Sequence, residues 1–128
     1  MKRRRMLGLF VAFYAAVHFF VYLALDLEFA FGDFARDVQK RPYIAVGAGA
    51  LALLVPLTLT STDAMIRRLG RWWPRVHLLV YPAAILGVLH YYLLIKRNKT
   101  PALWDAAAVG ALLLFRAGWA LRARLKTT

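Results

Sequence analysis

MLGLFVAFYAAVHFFVYLAL, residues 6–25, is twenty residues long, contains no Asp, Glu, Lys or Arg, and follows directly on Lys2-Arg3-Arg4-Arg5. Twenty helical residues rise about 30 Å, the thickness of a bilayer's hydrocarbon core. A soluble protein this small could not hide so much apolar surface, whereas in lipid the outward-facing Leu, Val and Phe are where they should be. One ionisable side chain, His18, lies inside the run. Such groups are costly at membrane depth and mark function by default.

Two further stretches are as long and as free of charge: Pro42–Thr62 with 21 residues and Val76–Ile95 with 20. A fourth, Pro101–Leu121, is interrupted by Asp105 and Arg116. Both interruptions lie near its ends, where Asp105 can face headgroups and Arg116 can snorkel. Pro101 suits the first turn of a helix. The expected fold is an all-α integral membrane bundle of about four transmembrane helices, spans about 6–25, 42–62, 76–95 and 101–121, in one domain over residues 1–128. Composition agrees: 62% of the residues are hydrophobic, against roughly 45–50% in soluble domains. The basic N-terminus and the apolar run after it also imitate a signal peptide. No small-x-small cleavage site follows, and more spans come after it.

The formal charge of +12 would suit nucleic acid if it lay along one face. Instead, Lys and Arg stand in short clusters between uncharged stretches, the pattern of charges flanking membrane spans, and no nucleic-acid partner is expected. With the N-terminus inside, twelve basic residues fall on the inner side (Lys2 to Arg5, Arg67, Arg68, Arg71, Arg75, Arg116, Arg122, Arg124, Lys126). Six fall on the outer side (Arg36, Lys40, Arg41, Lys96, Arg97, Lys99). Positive charge accumulates inside, so both termini are expected in the cytoplasm. Between the second and third spans, Ser61 is expected to cap a short amphipathic helix through Leu69. Met65, Ile66 and Leu69 would face lipid, Arg67 and Arg68 water, and Trp72 and Trp73 would sit at the membrane interface.

The chain has no cysteine, which excludes disulfides, Cys-held iron–sulfur clusters and covalent haem attachment. All three histidines lie inside expected spans: His18 in the first, His77 and His90 in the third. A lone intramembrane histidine is as often hydrogen-bonded between helices as bound to a metal; three of three inside spans favour ligands. Depth sharpens this. The first and third spans run in the same direction, His18 is 12 residues beyond Met6, and His90 is 14 beyond Val76. At about 1.5 Å per residue the two depths agree within about 3 Å, so two imidazoles could clamp one haem between them. His77 lies about 20 Å nearer the cytoplasm with no matching histidine. On an ideal helix it would also be rotated by about 140° from His90, unless Pro82 and Gly87 bend or unwind the segment. Gly47, Ala48, Gly49 and Ala50 would allow close approach of a helix or a macrocycle. Tyr14, Tyr22, Tyr81, Tyr91 and Tyr92 suit belt or core positions. No carboxylate stands at mid-membrane, which disfavours a proton-coupled exporter. No phosphate-cradling Gly-rich loop is present either, so reducing equivalents would come from a partner protein or a lipid quinol.

Several motifs together resemble one family. They are Arg41-Pro42-Tyr43-Ile44 with Gly47, Thr60-Ser61-Thr62-Asp63-Ala64-Met65, Arg68-Leu69-Gly70, Trp73, His77, Tyr81 and His90-Tyr91, with Leu7-Gly8-Leu9 and Ala16-Val17-His18 before them. The family is MsrQ, also called YedZ, the haem-binding membrane subunits of bacterial periplasmic methionine sulfoxide reductases, within the ferric-reductase-like transmembrane group. The resemblance covers nearly the whole chain. It implies haem b, with axial ligands drawn from His18, His77 and His90 in a pairing left open, and FMN as a candidate second cofactor. It implies a multi-pass protein of the bacterial inner membrane. Electrons would pass from a cytoplasmic flavin reductase or the quinone pool to a periplasmic molybdopterin methionine sulfoxide reductase subunit, with no catalytic residue in this chain. Family members usually carry further spans ahead of the segment matching Met1–Gly8. A short form, a misassigned start or a trimmed chain is therefore expected, and FMN binding, quinol binding and partner docking are tied to those spans. Two other readings stay open: a ferric-reductase or quinol cytochrome with another acceptor, and a haem-free four-helix scaffold or transporter.

Overall fold

A computed structural model describes residues 2–95 and 99–125. Lys96, Arg97 and Lys126, which enter the charge comparison, lie outside the described residues. The first helix, α1 (Lys2–Val21), runs on into a π-helical turn at Tyr22–Asp26. Its end reverses through Glu28 and Phe29, both at positive φ (45° and 62°), with the Phe29 N–H bonded back to the Leu23 carbonyl at 2.9 Å. A helix absent from the sequence expectations follows, α2 (Phe31–Lys40), before α3 (Pro42–Leu59), which begins with Pro42 in its first turn.

The third crossing is segmented. It comprises α4 (Asp63–Leu69), a 3₁₀ turn at Gly70–Trp72, α5 (Trp73–Val76), a second 3₁₀ turn at His77–Leu79, and α6 (Val80–Leu94). The last helix is α7 (Thr100–Leu125). Four stretches are long and apolar enough to cross a membrane: Arg3–Asp26, Pro42–Leu59, Asp63–Leu94 and Thr100–Arg122. Among the described residues there is no strand, and the all-α membrane bundle expected from the sequence is what the chain forms.

α3 and α6 pack together most closely, α7 lies against α6, and α1 and α2 lie against α3. Few side chains are buried, chiefly small or aliphatic ones: Ala12, Leu23, Ile44, Leu57, Ala83 and Ala102. Leu114 and Trp119 of α7 are 75% and 70% exposed. In water that surface would drive aggregation; in a bilayer the hydrophobic effect between helices vanishes, and association rests on close packing of small residues and on polar contacts.

The α3–α4 corner corrects one expectation. α3 stops at Leu59, not at Thr62, because Thr58, Thr60 and Ser61 turn their hydroxyls back onto the Leu54, Pro56 and Leu57 carbonyls at 2.6–2.8 Å. Those bonds satisfy both hydroxyls and helix-end carbonyls. Ser61 is thereby spent on α3, and Thr62 is the N-cap of α4, accepting from the Met65 N–H at 3.3 Å. Thr62→Ala should destabilise this corner by about 1 kcal/mol, while Ser61→Ala should leave α4 capped. Local hydrogen-exchange protection of the Met65 amide distinguishes the two. α4 is amphipathic, with Arg67 and Arg68 exposed as expected, but Met65, Ile66 and Leu69 are half-buried and Ile66 lines the interior cavity instead of facing lipid. Arg5 of α1 pairs with the exposed Asp63 at its start.

Candidate functional site

A cavity of about 1260 Å³ runs along the inside of the bundle, and His18, His77 and His90 all line it. Pockets for drug-sized ligands occupy roughly 300–1,000 Å³, so there is room for a large planar group. The lining is mostly apolar, with Arg4, Arg5 and Asp63 at one end and Arg41 and Tyr43 at the other.

His18 of α1 and His90 of α6 face each other, with ring centres 6.2 Å apart and planes at 72°. Two imidazoles bound to one metal through Nε2, each at about 2 Å, would hold their ring centres roughly 6 Å apart. The spacing fits a shared iron, and the matched depths read from the sequence lead to this pair. His90 Nδ1 lies 2.6 Å from the Tyr43 carbonyl oxygen on α3. A ring nitrogen that donates to a backbone carbonyl leaves the other nitrogen free, with its lone pair, for a metal, which is how metal-binding histidines are usually held. Gly47 makes the approach of α6 possible: a Cβ there would stand 2.6 Å from His90 Nδ1 and 2.7 Å from its Cε1. Gly49, on the same helix, would meet only Leu86 at an ordinary 3.6 Å. Of the small residues on α3, Gly47 thus serves the histidine and Gly49 serves general helix packing. Gly8 and Gly87, which also line the cavity, have nothing within 4 Å of a Cβ position and leave space for a flat ring.

His77 is held differently. Its ring stacks on Trp73, with centres 4.0 Å apart and planes at 29°, and its Nδ1 lies 3.3 Å from the Trp73 carbonyl oxygen. The Trp73 indole N–H donates to the Thr60 carbonyl at 2.9 Å. Trp73 is therefore turned into the cavity, which corrects its expected place in an interfacial belt; Trp72, 53% exposed, keeps that place, with the Arg75 guanidinium 4.4 Å from its ring centre.

The rotation between His77 and His90 is eased where the sequence did not point. α6 passes through Pro82 and Gly87 as regular helix, and the adjustment is the 3₁₀ turn His77–Leu79. Pro82 lacks the N–H that would bond to the Leu78 carbonyl, and its ring crowds that oxygen, so the preceding turn tightens. Three residues wound at 3.0 instead of 3.6 per turn add about 60°, reducing the offset from about 140° to about 80°. Both rings can then line one cavity. Arg116, expected to snorkel, lies 5.4 Å from the centre of the Tyr81 ring and lines the same cavity.

Beyond His18 and His90, the polar side chains of Tyr22, Arg41 and Tyr43 line the end of the cavity. Tyr22 donates to Asp37 Oδ2 at 2.7 Å, and Arg41 lies 3.5 Å from Asp37 Oδ1 and 3.4 Å from the Tyr43 hydroxyl. The Tyr43 contact, reinforced by the Asp37 charge, holds the Arg41 guanidinium even more firmly protonated than usual. From α2, Phe34 lines the cavity and Asp37 holds Tyr22 and Arg41 at its edge; sequence reasoning missed both. The signal was there in Phe31, Phe34 and Val38, spaced three and four apart on a helix of ten residues.

The fold and site define a polytopic α-helical membrane protein whose interior is lined by facing histidines. The family model described as the ferric reductase like transmembrane component matches residues 1–88, and the chain belongs to that family. It is similar to the protein-methionine-sulfoxide reductase heme-binding subunit MsrQ of Rhodospirillum rubrum, 50% identical over 125 residues, covering 97% of this chain and 60% of that relative. The MsrQ subunits of Xanthomonas oryzae and Xanthomonas campestris are 48% and 49% identical, over 94% and 95% of this chain and 56% and 54% of theirs. The chain thus spans little more than half the length of the curated relatives it matches. No solved structure matches it.

Proposed function

We propose that this chain is the haem b electron-transfer part of a membrane subunit serving a methionine sulfoxide reductase. The observation that carries the reading is the His18–His90 pair, 6.2 Å between ring centres, with His90 tied through Nδ1 to the Tyr43 carbonyl. The relatives' name, heme-binding subunit of a protein-methionine-sulfoxide reductase, supports the same cofactor and the same destination for electrons. His18 and His90 would hold the iron, with His77 the third candidate ligand, stacked on Trp73 at the other end of the cavity. When bound, the haem supplies one-electron chemistry by cycling its iron between two oxidation states. The chain's own residues fix the imidazole orientations, exclude water with apolar side chains, and set the depth at which the electron sits.

The charge asymmetry of the sequence supports an orientation with both termini in the cytoplasm of a bacterial inner membrane, which would set His18 and His90 towards the periplasmic side. Electrons would enter from a cytoplasmic flavin reductase or from quinol and leave to a periplasmic molybdopterin subunit that carries out the reduction. FMN enters this reading as a second carrier on the donor side, with no residue of this chain assigned to it. The description of the family as ferric-reductase-like favours one alternative, a cytochrome delivering to another acceptor; reoxidation rates with and without the catalytic subunit separate the two.

The test is an optical spectrum of detergent-purified protein, oxidised and dithionite-reduced, with pyridine haemochrome quantification. About one b-type haem per chain, low-spin through two imidazoles, is the expected result. His18→Ala should abolish the low-spin signature. Protein that takes up no haem even when supplied with hemin would instead be a haem-free four-helix scaffold.

A further inference from the structure

We propose that the two facing histidines are unequal ligands, His90 anchored and His18 exchangeable, so that the α1 side of the site admits a neutral diatomic molecule such as CO in place of the His18 imidazole. The inference rests on the haem reading above and adds a ligand site to it.

His90 is restrained from three directions. Its Nδ1 is bonded to the Tyr43 carbonyl at 2.6 Å, its ring lies against Gly47 with no room for a methyl group, and it belongs to the α3–α6 pair, the closest packing in the bundle. To leave an iron, His90 would have to break that hydrogen bond in a low-dielectric interior. His18 has no such restraint. Among the described residues it makes no hydrogen bond; its ring contact is with His90 itself, and its side chain is exposed. With neither ring nitrogen engaged, nothing sets its tautomer or the direction of its lone pair. The helix that carries it is also the looser one. Ala12 is the one buried side chain described on α1, and the π-helical turn Tyr22–Asp26 begins four residues after His18. A π-turn holds an extra residue within a helix and is a place where its register can shift.

The surroundings select the ligand class. A neutral diatomic loses little hydration on entering the apolar stretch around His18 and His90, whereas an anion would be held by the cavity's arginines, Arg4, Arg5, Arg41 and Arg116. Space is at hand on the α1 side, where the His18 side chain is itself exposed. The exchange balances without an oxidant or reductant. The bond from His18 Nε2 to iron breaks, a bond from the diatomic's carbon or nitrogen to iron forms, and the imidazole leaves neutral.

The experiment uses the full chain in detergent, haem quantified as pyridine haemochrome, reduced with dithionite and mixed with CO, with the Soret change followed in time. Wild type should bind CO slowly. His18→Ala should keep about one haem per chain, become five-coordinate and bind CO about tenfold or more faster, because no ligand has to leave first. His90→Ala, checked for an unchanged size-exclusion profile, should keep far less haem than His18→Ala. Equal haem loss in the two variants would overturn the inference. So would haem-loaded wild type that shows no spectral change under CO, an outcome that leaves the haem reading intact. Wild type without haem overturns both.

Discussion

Replacing Gly47 by alanine should weaken haem binding by about 10–100-fold, the usual cost of disturbing a group that orients a metal-binding histidine. The added methyl carbon would sit 2.6 Å from His90 Nδ1 and 2.7 Å from Cε1, closer than any relaxed contact. The ring cannot yield sideways without giving up the 2.6 Å contact to the Tyr43 carbonyl, and behind it stands the His18 ring, 6.2 Å away centre to centre. Either His90 turns away from the shared position or α3 and α6 separate, which loosens the closest packing in the bundle. Gly49→Ala is the internal control. Its methyl would meet Leu86 at 3.6 Å, and alanine gains about 1 kcal/mol of helix propensity over glycine. Hemin titration of the two variants in detergent measures the difference. If Gly47→Ala binds hemin as tightly as Gly49→Ala, His90 is not wedged into a ligand position, and the proposed site fails with it.

That pair of glycines also shows how far the sequence could be read. The four crossings are legible because lipid demands about twenty apolar residues and the charges mark where each stops. The match of His18 with His90 is legible too, since depth follows from a fixed rise per residue. Which small residue on α3 meets the histidine is not, because it depends on the rotation of two helices about their axes, and a helix that is apolar all round carries no stripe to reveal that angle. α2 was overlooked for another reason: ten residues with a glycine and four charges look like a loop, and their helical form depends on Phe34 packing against Phe19 and Tyr22, with ring centres 5.5 and 6.4 Å apart. The inward turn of Trp73 depends on the break between α4 and the 3₁₀ turn at Gly70, whose φ of 48° is a conformation glycine adopts freely and other residues rarely do.

The second large effect is expected at Trp73. Trp73→Ala should destabilise the folded bundle by about 2 kcal/mol and expose His77. The indole N–H bond to the Thr60 carbonyl, 2.9 Å long, contributes about 1 kcal/mol, and the stack on His77 at 4.0 Å about as much again. The two contributions separate. Trp73→Phe keeps a ring against His77 but cannot donate to Thr60, so about half of the loss should appear, with His77 still covered. Thermal unfolding in detergent reads the first quantity, and the rate of His77 modification by diethyl pyrocarbonate, followed by mass spectrometry, reads the second. The two readouts should diverge in the phenylalanine variant: lowered stability, unchanged His77 reactivity. They should move together in the alanine variant. Should Trp73→Phe expose His77 as fully as Trp73→Ala, the hydrogen bond to Thr60 and not the stack is what holds His77. The α3–α4 corner, where Thr60 also returns its own hydroxyl to Pro56 at 2.6 Å, would then govern the histidine from a distance. The effect would still begin at Thr60, because α4, Trp73 and His77 follow one another along a single segmented crossing, and a shift at its start is carried along it to the His77 ring.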